Sequence, residues 1–335
     1  IKYFLLSLIV IVLNVNVDAQ SDLSTPYSRF GLGDIYTSSP STMLKGMGGV
    51  ANAMSDHCLL NPNNPAAYAS IDTLSFLFDA GFYIKTATFS TNKLSESGSN
   101  ASFDYASVGL SATKRWKIGL GIMPYTNREY NVITEHHDLG GYNIAFQGEG
   151  GLNRVFFANG LKITDDLSVG VTASFIFGTL FDNTTIYYPD STYFLNGKRS
   201  IEMRVNDFKF DYGVIYRLPI NKYDIALGLT YSQGSNISSK RDIFIRNMFK
   251  GYNNLAESPI DTLKYIENEN VSIKIPQGFG AGIKFDNKKG FVVGADFNWA
   301  AWEGFSMNGI NDSLQNSWNV AIGCSYKPES TSISK

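Results

Sequence analysis

Cysteine and histidine are both scarce in this sequence, and each shortage removes a class of function. The 335 residues hold two cysteines, Cys58 and Cys324. They leave room for one disulfide in an oxidising compartment or for two unpaired structural thiols. Histidine occurs three times, as His57, His136 and His137. A hydrolase built on Ser or Thr needs a histidine base within reach. His57 is followed at once by Cys58, and a pair so close in sequence rarely meets properly, so no catalytic residue and no enzyme activity are expected. His136-His137, beside Glu135 and Asp138, read as a hydrated loop rather than a metal site. No phosphate loop, zinc spacing or dinucleotide fingerprint occurs, so no metal and no cofactor are expected. The net charge is −2, which gives no electrostatic case for nucleic acid.

Long apolar runs are also missing after the first residues. The chain opens with Lys2, an apolar stretch Tyr3 to Val17, and the small-residue end Val17-Asp18-Ala19. This is the pattern of a signal peptide over residues 1–19, with the mature chain starting near Gln20. Polar residues follow directly, so the stretch does not read as a membrane anchor. The remainder has no uncharged apolar run long enough for a membrane helix.

Aromatics and glycine are abundant instead: Tyr 19, Phe 23 and Gly 31. From Leu74 onward the hydrophobic period is 2. Phe76, Phe78, Phe82 and Ile84 share one face, and Val169, Val171, Phe175 and Phe177 another. Tyr223, Ile225, Leu227, Leu229 and Tyr231 alternate with Asp224, Ala226, Gly228 and Thr230. The second face is rich in Gly, Ser, Ala and Asn, whereas a water-exposed face carries Lys, Glu and Thr. Aromatics sit at both ends of the apolar faces, as in the girdles of lipid-facing strands. Short connections such as Lys114-Arg115 and Thr164 to Asp166 alternate with long ones near 126–153, 179–202 and 233–270. The expected fold class is all-β, a transmembrane antiparallel β-barrel over residues 74–335. About ten strands are counted. The sequence ends in Ser-Ile-Ser-Lys rather than on an aromatic strand, so this chain is expected to be truncated at its C-terminus, with about 14 strands in the full protein.

Residues 20–73 do not alternate. Ser24 to Ser70 is punctuated by Gly31, Gly33, Gly46, Gly48 and Gly49, and by Pro26, Pro40, Pro62 and Pro65. It still carries Leu32, Met43, Leu44, Met47, Val50, Leu59 and Leu60, more apolar surface than a solvated linker. It is expected to be an irregular, packed hatch or plug inside the barrel.

Gly46-Met47-Gly48-Gly49-Val50, Asp56 and Asn64-Pro65-Ala66, placed just before the first strand, resemble the N-terminal hatch of FadL/TodX-type outer-membrane transporters. Arg29, Gly31, Gly33 and Asp34, in the segment Pro26 to Asp34, resemble a subgroup of such barrels with poorly defined roles. Ala67 departs from the family, which usually has Gly after Asn-Pro-Ala. The resemblance implies a 14-strand, plugged barrel in the outer membrane of a Gram-negative bacterium. It implies passive inward movement of long-chain fatty acids or other hydrophobic small molecules, with lateral exit through the wall.

Phe103, Tyr105, Met123 and Tyr125 are the candidate ligand-binding residues, on the inner face of the outer half. Asp79, Lys85, Asp211, Arg217 and Asp296 are inner-face charges, expected to pair with one another or with Arg29 and Asp34. The alternative function is a structural or assembly subunit of an outer-membrane complex. Its partners would be outer-membrane lipids and, through the long outer loops, other outer-membrane proteins.

Overall fold

A computed structural model describes residues 26–36, 41–90, 95–137, 141–189, 194–220, 222–250 and 257–327. The expected signal peptide and the C-terminal Ser-Ile-Ser-Lys lie outside these residues. The described residues fall into two compact units, one formed by those within 82–102 and the other by those within 26–81 and 103–327.

The first unit is a hairpin tip made of the outer parts of β2 (Phe76–Ser90) and β3 (Ser95–Ser111). Hydroxyl pairs tie its strands, with Thr86 and Ser99 at 3.1 Å and Thr88 and Ser97 at 2.8 Å.

The second unit begins with the hatch. A 3₁₀ turn (Pro26–Arg29), a two-residue strand β1 (Asp34–Ile35), the short helix α1 (Thr42–Gly46) and a 3₁₀ turn (Pro65–Ser70) are its only regular elements among the described residues. The wall follows: β4 (Trp116–Asn127), β5 (Tyr130–His136), β6 (Tyr142–Lys162), β7 (Leu167–Tyr187), β8 (Asn196–Ile220) and β9 (Tyr223–Ser232). It continues with β10 (Ser235–Lys250), β11 (Glu257–Ile275), β12 (Gly278–Asp286), β13 (Phe291–Ala300), β14 (Ser306–Met307) and β15 (Ser317–Tyr326). All pairings are antiparallel, in the order β15-β13-β12-β9-β8-β7-β6-β4-β3-β2. These ten strands match the count from hydrophobic period. The other strands are additions to them, because β5, β10, β11 and β14 extend the sheet at the long-loop end.

Alternation sets the two faces. On β8, Tyr212, Val214 and Tyr216 point outward, while Asp211 and Ile215 are buried. Two aromatic rows cross the outer face. At the long-loop end Tyr212, Tyr231, Phe279, Trp299 and Trp318 are in register on five adjacent strands. At the short-turn end the rings of Tyr223 and Phe285 meet with centroids 5.1 Å apart, and Phe291 pairs with Tyr326. Tyr223 and Tyr231 lie eight residues apart on β9, about 26 Å along the strand and about 20 Å after a 40° tilt. That height is close to the apolar band of about 25 Å on outer-membrane barrels.

The long strands bend at one place. β9 runs into β10 through Gln233-Gly234, and β11 into β12 through Pro276-Gln277. Ser232 pairs with Gly278 and Ser235 with Ile275, so the pairing keeps its register across the break. Pro276 has no N–H to give to a ladder, and the sheet opens where it stands. Cys58 and Cys324 are both free and exposed.

Leu227, midway between the rows and 42% exposed, should meet lipid. Leu227→Arg should reduce stability in vesicles by about 2–4 kcal/mol, read from urea unfolding. Thr230→Ser, on the inner face of the same strand, should change it by less than a quarter of that. Equal losses would mean that the faces are assigned the wrong way round.

Candidate functional site

The hatch closes the wall at two heights. At the long-loop end the segment Arg29 to Asp34 inserts one leucine. Gly31 (φ +58°) and Gly33 (φ +96°) hold left-handed backbone on either side of Leu32. A Cβ on Gly33 would overlap the Asn127 carbonyl, so glycine is required there for space as well as for φ. The two bends drive Leu32, 1% exposed, into Leu152, Ile176, Leu180, Val205, Ile237, Ile273 and Phe305. Polar contacts fix the segment: Asp312 Oδ2 accepts the Gly31 N–H at 3.0 Å, and Arg128 donates to the Gly31 carbonyl while bonding Asp182 at 2.6 Å. Arg29 stacks on the Phe146 ring at 3.9 Å, and Asp34 begins the short strand that pairs with β4.

At the short-turn end the lock is Asn64-Pro65-Ala66. Asn64 is fully buried and caps the 3₁₀ turn, its Oδ1 accepting from the Ala66 N–H at 3.0 Å. Its Nδ2 donates to the Asn52 carbonyl at 2.6 Å and the Val214 carbonyl at 3.4 Å. Asn61, also fully buried, donates to the carbonyls of Ala51 and Met54 at 2.7 and 2.9 Å. These amides meet the backbone groups that irregular structure leaves unpaired.

The wall answers with glycine. Every strand from β3 to β15 that belongs to the ten-strand order turns a glycine toward the hatch: Gly109, Gly119, Gly160, Gly170, Gly213, Gly228, Gly282, Gly294 and Gly323. A Cβ on Gly160 would stand 2.6 Å from the Ala69 nitrogen, and one on Gly213 would overlap Asn64 Oδ1. A Cβ on Gly323 would overlap the Met47 carbonyl, where Gly46, Gly48 and Gly49 carry the chain past β15. Ala67, in place of the family glycine, is fully buried in contact with Ile215 and Ala226.

The inner-face charges are partnered differently from expectation. Asp296 accepts the N–H groups of Ala51 and Asn52 at 2.6 and 2.7 Å, and Arg217 donates to the hydroxyls of Ser55 and Ser70. Asp211 pairs with Lys209 on its own strand and lies 3.9 Å from Arg154. Asp296 and Arg217 thus meet backbone and hydroxyls of the hatch rather than each other, while Asp211 finds its cations on the wall. Lys85 belongs to the first unit.

Between the two locks lies a chamber of about 250 Å³. Tyr36, Asn52, Asn63, Tyr125, Arg154, Lys209, Asp211, Thr230 and Asn298 line it, and it reaches the wall break at Pro276. Of the four candidate ligand residues, only Tyr125 lines it. Tyr105 and Met123 are buried in a cluster with Leu60, Tyr68 and Ile71 of the hatch, and the Tyr105 hydroxyl accepts the Thr42 N–H at 3.1 Å. Phe103 is half-buried on β3. An apolar hollow of about 340 Å³ lies on the outer face over Tyr212, Leu229, Tyr231 and Phe279. It shares Thr230, Phe279 and Gly280 with the chamber, so the two lie on either side of one thin stretch of wall.

Asp56, His57 and Cys58 bring ligand atoms within 4.8 Å of one another, but they are three consecutive exposed residues, with His57 Nδ1 2.6 Å from Asp56. Sequence reasoning missed Asn52, Asn61, Arg154 and Lys209, and named Leu32 only as part of the hatch's apolar surface. The signal for Asn61 was present in Asn61-Pro62-Asn63-Asn64-Pro65, a run of amides inside an apolar segment.

A family model described as BamG matches residues 1–335. No curated protein matches the sequence. Among solved structures the chain is similar to a Pseudomonas aeruginosa FadL homologue, at 13% identity and TM-score 0.54, covering 88% of this chain and 78% of that one. It is similar to the Ralstonia pickettii toluene transporter TbuX at 13% and 0.55, covering 85% and 82%. It is also similar to the Pseudomonas putida toluene transporter TodX at 14% and 0.53, covering 89% and 81%. At these identities the likeness is one of fold, a plugged antiparallel β-barrel.

Asn64→Ala should leave the Asn52 carbonyl and the Ala66 N–H unpartnered in a dry site, at about 1–3 kcal/mol. Leu32→Ala should cost about 2–5 kcal/mol by leaving a cavity at the upper lock. Thermal unfolding measures both. Limited proteolysis should show faster cleavage within residues 41–75 for Asn64→Ala only. Cleavage at the wild-type rate would show that Asn64 does not hold the hatch.

Proposed function

The chain belongs to the BamG family, and from that premise we propose that it is a plugged outer-membrane barrel with a structural role, a fixed member of an outer-membrane assembly complex. The family's name points to such a complex. One observation carries the reading: the hatch meets an inward glycine on each of nine wall strands and is held at two heights. The chamber it leaves mixes charges and amides with apolar groups such as Ile275, Phe279, Trp299 and Trp302, rather than presenting a purely apolar path. Short turns then face the periplasm, and the long-loop end carries the β10–β11 hairpin, which offers partners a surface beyond the membrane. The aromatic rows set the wall among outer-membrane lipids.

A second reading is passive transport of hydrophobic small molecules such as long-chain fatty acids. The fold likeness supports it, and so does the chamber that backs onto an outer apolar hollow at the wall break. In that reading Arg154 and Lys209 outnumber Asp211 and suit an anionic head, while the tail lies against Phe279 and Tyr231. Of the four candidate residues, Tyr125 lies along the ligand's route in that reading, while Phe103, Tyr105 and Met123 do not line the chamber.

Depletion of the chain in cells, with outer-membrane proteins assayed by heat-modifiable gel migration, separates the two. The assembly reading expects other barrels to lose their folded form, and the chain to co-purify with outer-membrane proteins. It also expects fatty-acid uptake into liposomes to be the same for wild type and Lys209→Gln. Saturable uptake that Lys209→Gln abolishes, with other barrels folded at normal levels on depletion, would replace it with transport.

A further inference from the structure

A second hollow, of about 210 Å³, lies at the short-turn end, where the hatch leaves the wall. Four cations border it: Lys114, Lys117, Lys162 and Arg217. The hydroxyls of Ser70, Thr73 and Ser168 and the carboxylates of Asp72 and Asp165 complete the lining. The carboxylates do not balance the cations. Asp165 is taken by Lys162 at 3.0 Å, and Lys162 holds its carboxyl below the usual range. Asp72 is exposed at the rim and faces Lys117 only through space. Lys117 itself is 1% exposed. Its ammonium donates to Ser111 Oγ at 2.6 Å and Thr73 Oγ1 at 3.3 Å, both neutral. Arg217 likewise donates to the hydroxyls of Ser55 and Ser70.

A buried cation held only by hydroxyls is costly, and an anion entering beside it recovers that cost. Lys117 is such a cation, and the half-buried Arg217, also held by hydroxyls, borders the same hollow together with hydroxyls able to donate to an oxyanion. A phosphomonoester or inorganic phosphate carries about −1.5 to −2 charges and three acceptor oxygens, and so matches both cations at once. A carboxylate or a phosphodiester, with one charge, matches them less well. We propose that Lys114, Lys117, Lys162 and Arg217 form an oxyanion site for a phosphoryl group of the monoester type, entering from the short-turn end. The group has two sources, soluble phosphate and the headgroup of a phosphatidic-acid-type lipid.

Phosphorus NMR titration of the full chain in detergent tests the site, with inorganic phosphate and dihexanoyl phosphatidic acid as separate probes. Dihexanoyl phosphatidylglycerol is the phosphodiester control. Saturable binding of either monoester probe, at least fivefold tighter than the control, is expected. A tighter phosphatidic acid identifies the lipid source, and equal or tighter inorganic phosphate the soluble one. Lys117→Gln should weaken binding at least tenfold. Because that residue is buried, the double variant Lys114→Gln/Lys162→Gln, confined to the rim, provides a second measure and should weaken binding at least fivefold. Absence of saturable binding for both probes, or full-affinity binding to the double variant, would overturn the proposal.

Discussion

Two backbones can lie closer than a Cβ permits only if one of them has none. That contact, repeated around the hatch, is what the rest of the structure depends on. Nine strands each turn one glycine inward, and Pro65, Asn52 and Met47 lie with their main-chain atoms where side chains of the wall would otherwise be. Glycine weakens a strand, so the belt carries a conformational cost. The close approach offsets it, because it puts hatch carbonyls and N–H groups within reach of Asp296, Asn64 and the carbonyl of Val214. An ordinary wall with alanine or valine at these positions would hold the hatch off and leave those groups unpaired in a dry interior.

The two locks differ in chemistry because they close different surroundings. The upper one is apolar, one leucine aimed by two left-handed glycines into a cluster built from the long extensions of β6, β7, β8, β10 and β11. The lower one is polar, an amide network against a glycine wall. Between them the hatch leaves a space that polar and apolar groups line together. The chamber also holds Arg154, Lys209 and Asp211, with Lys209 paired to Asp211 and Arg154 3.9 Å from it.

The wall was largely legible in the sequence, because a period of 2 with one apolar face leaves little freedom. Tyr223 to Tyr231 states the outer face of β9 residue by residue, and the ten-strand order follows from the turns. The hatch was legible only in outline. Its glycines and prolines announced irregular, packed structure, but irregular backbone has no period from which a partner can be read. Asp296 shows the difference. Its inward position follows from alternation, whereas its partners, two N–H groups some 245 residues earlier, depend on where the hatch crosses β13. Tyr105 and Met123 have inward positions that alternation also supplied, but what covers them is set by Leu60 and Tyr68 of the hatch.

The same fastening bears on which part of the molecule can move. Releasing the lower hatch would orphan the N–H groups of Ala51 and Asn52, break a charge-assisted contact of about 1.5–3 kcal/mol at Asp296, and strip Asn64 of its partners at about 1–3 kcal/mol more. Those losses fall together, since one segment makes all the contacts, and a displaced hatch is a rare state. The wall break costs far less to open. At Pro276-Gln277 and Gln233-Gly234 the ladder is already interrupted, and Gly280 presents no side chain between the chamber and the outer hollow. In the transport reading, exchange between interior and membrane would go sideways through this thin stretch while the hatch stays fixed. A hatch that stays fixed is also what a structural member of an assembly requires, so one arrangement of locks serves both readings, and the wall break is where they part.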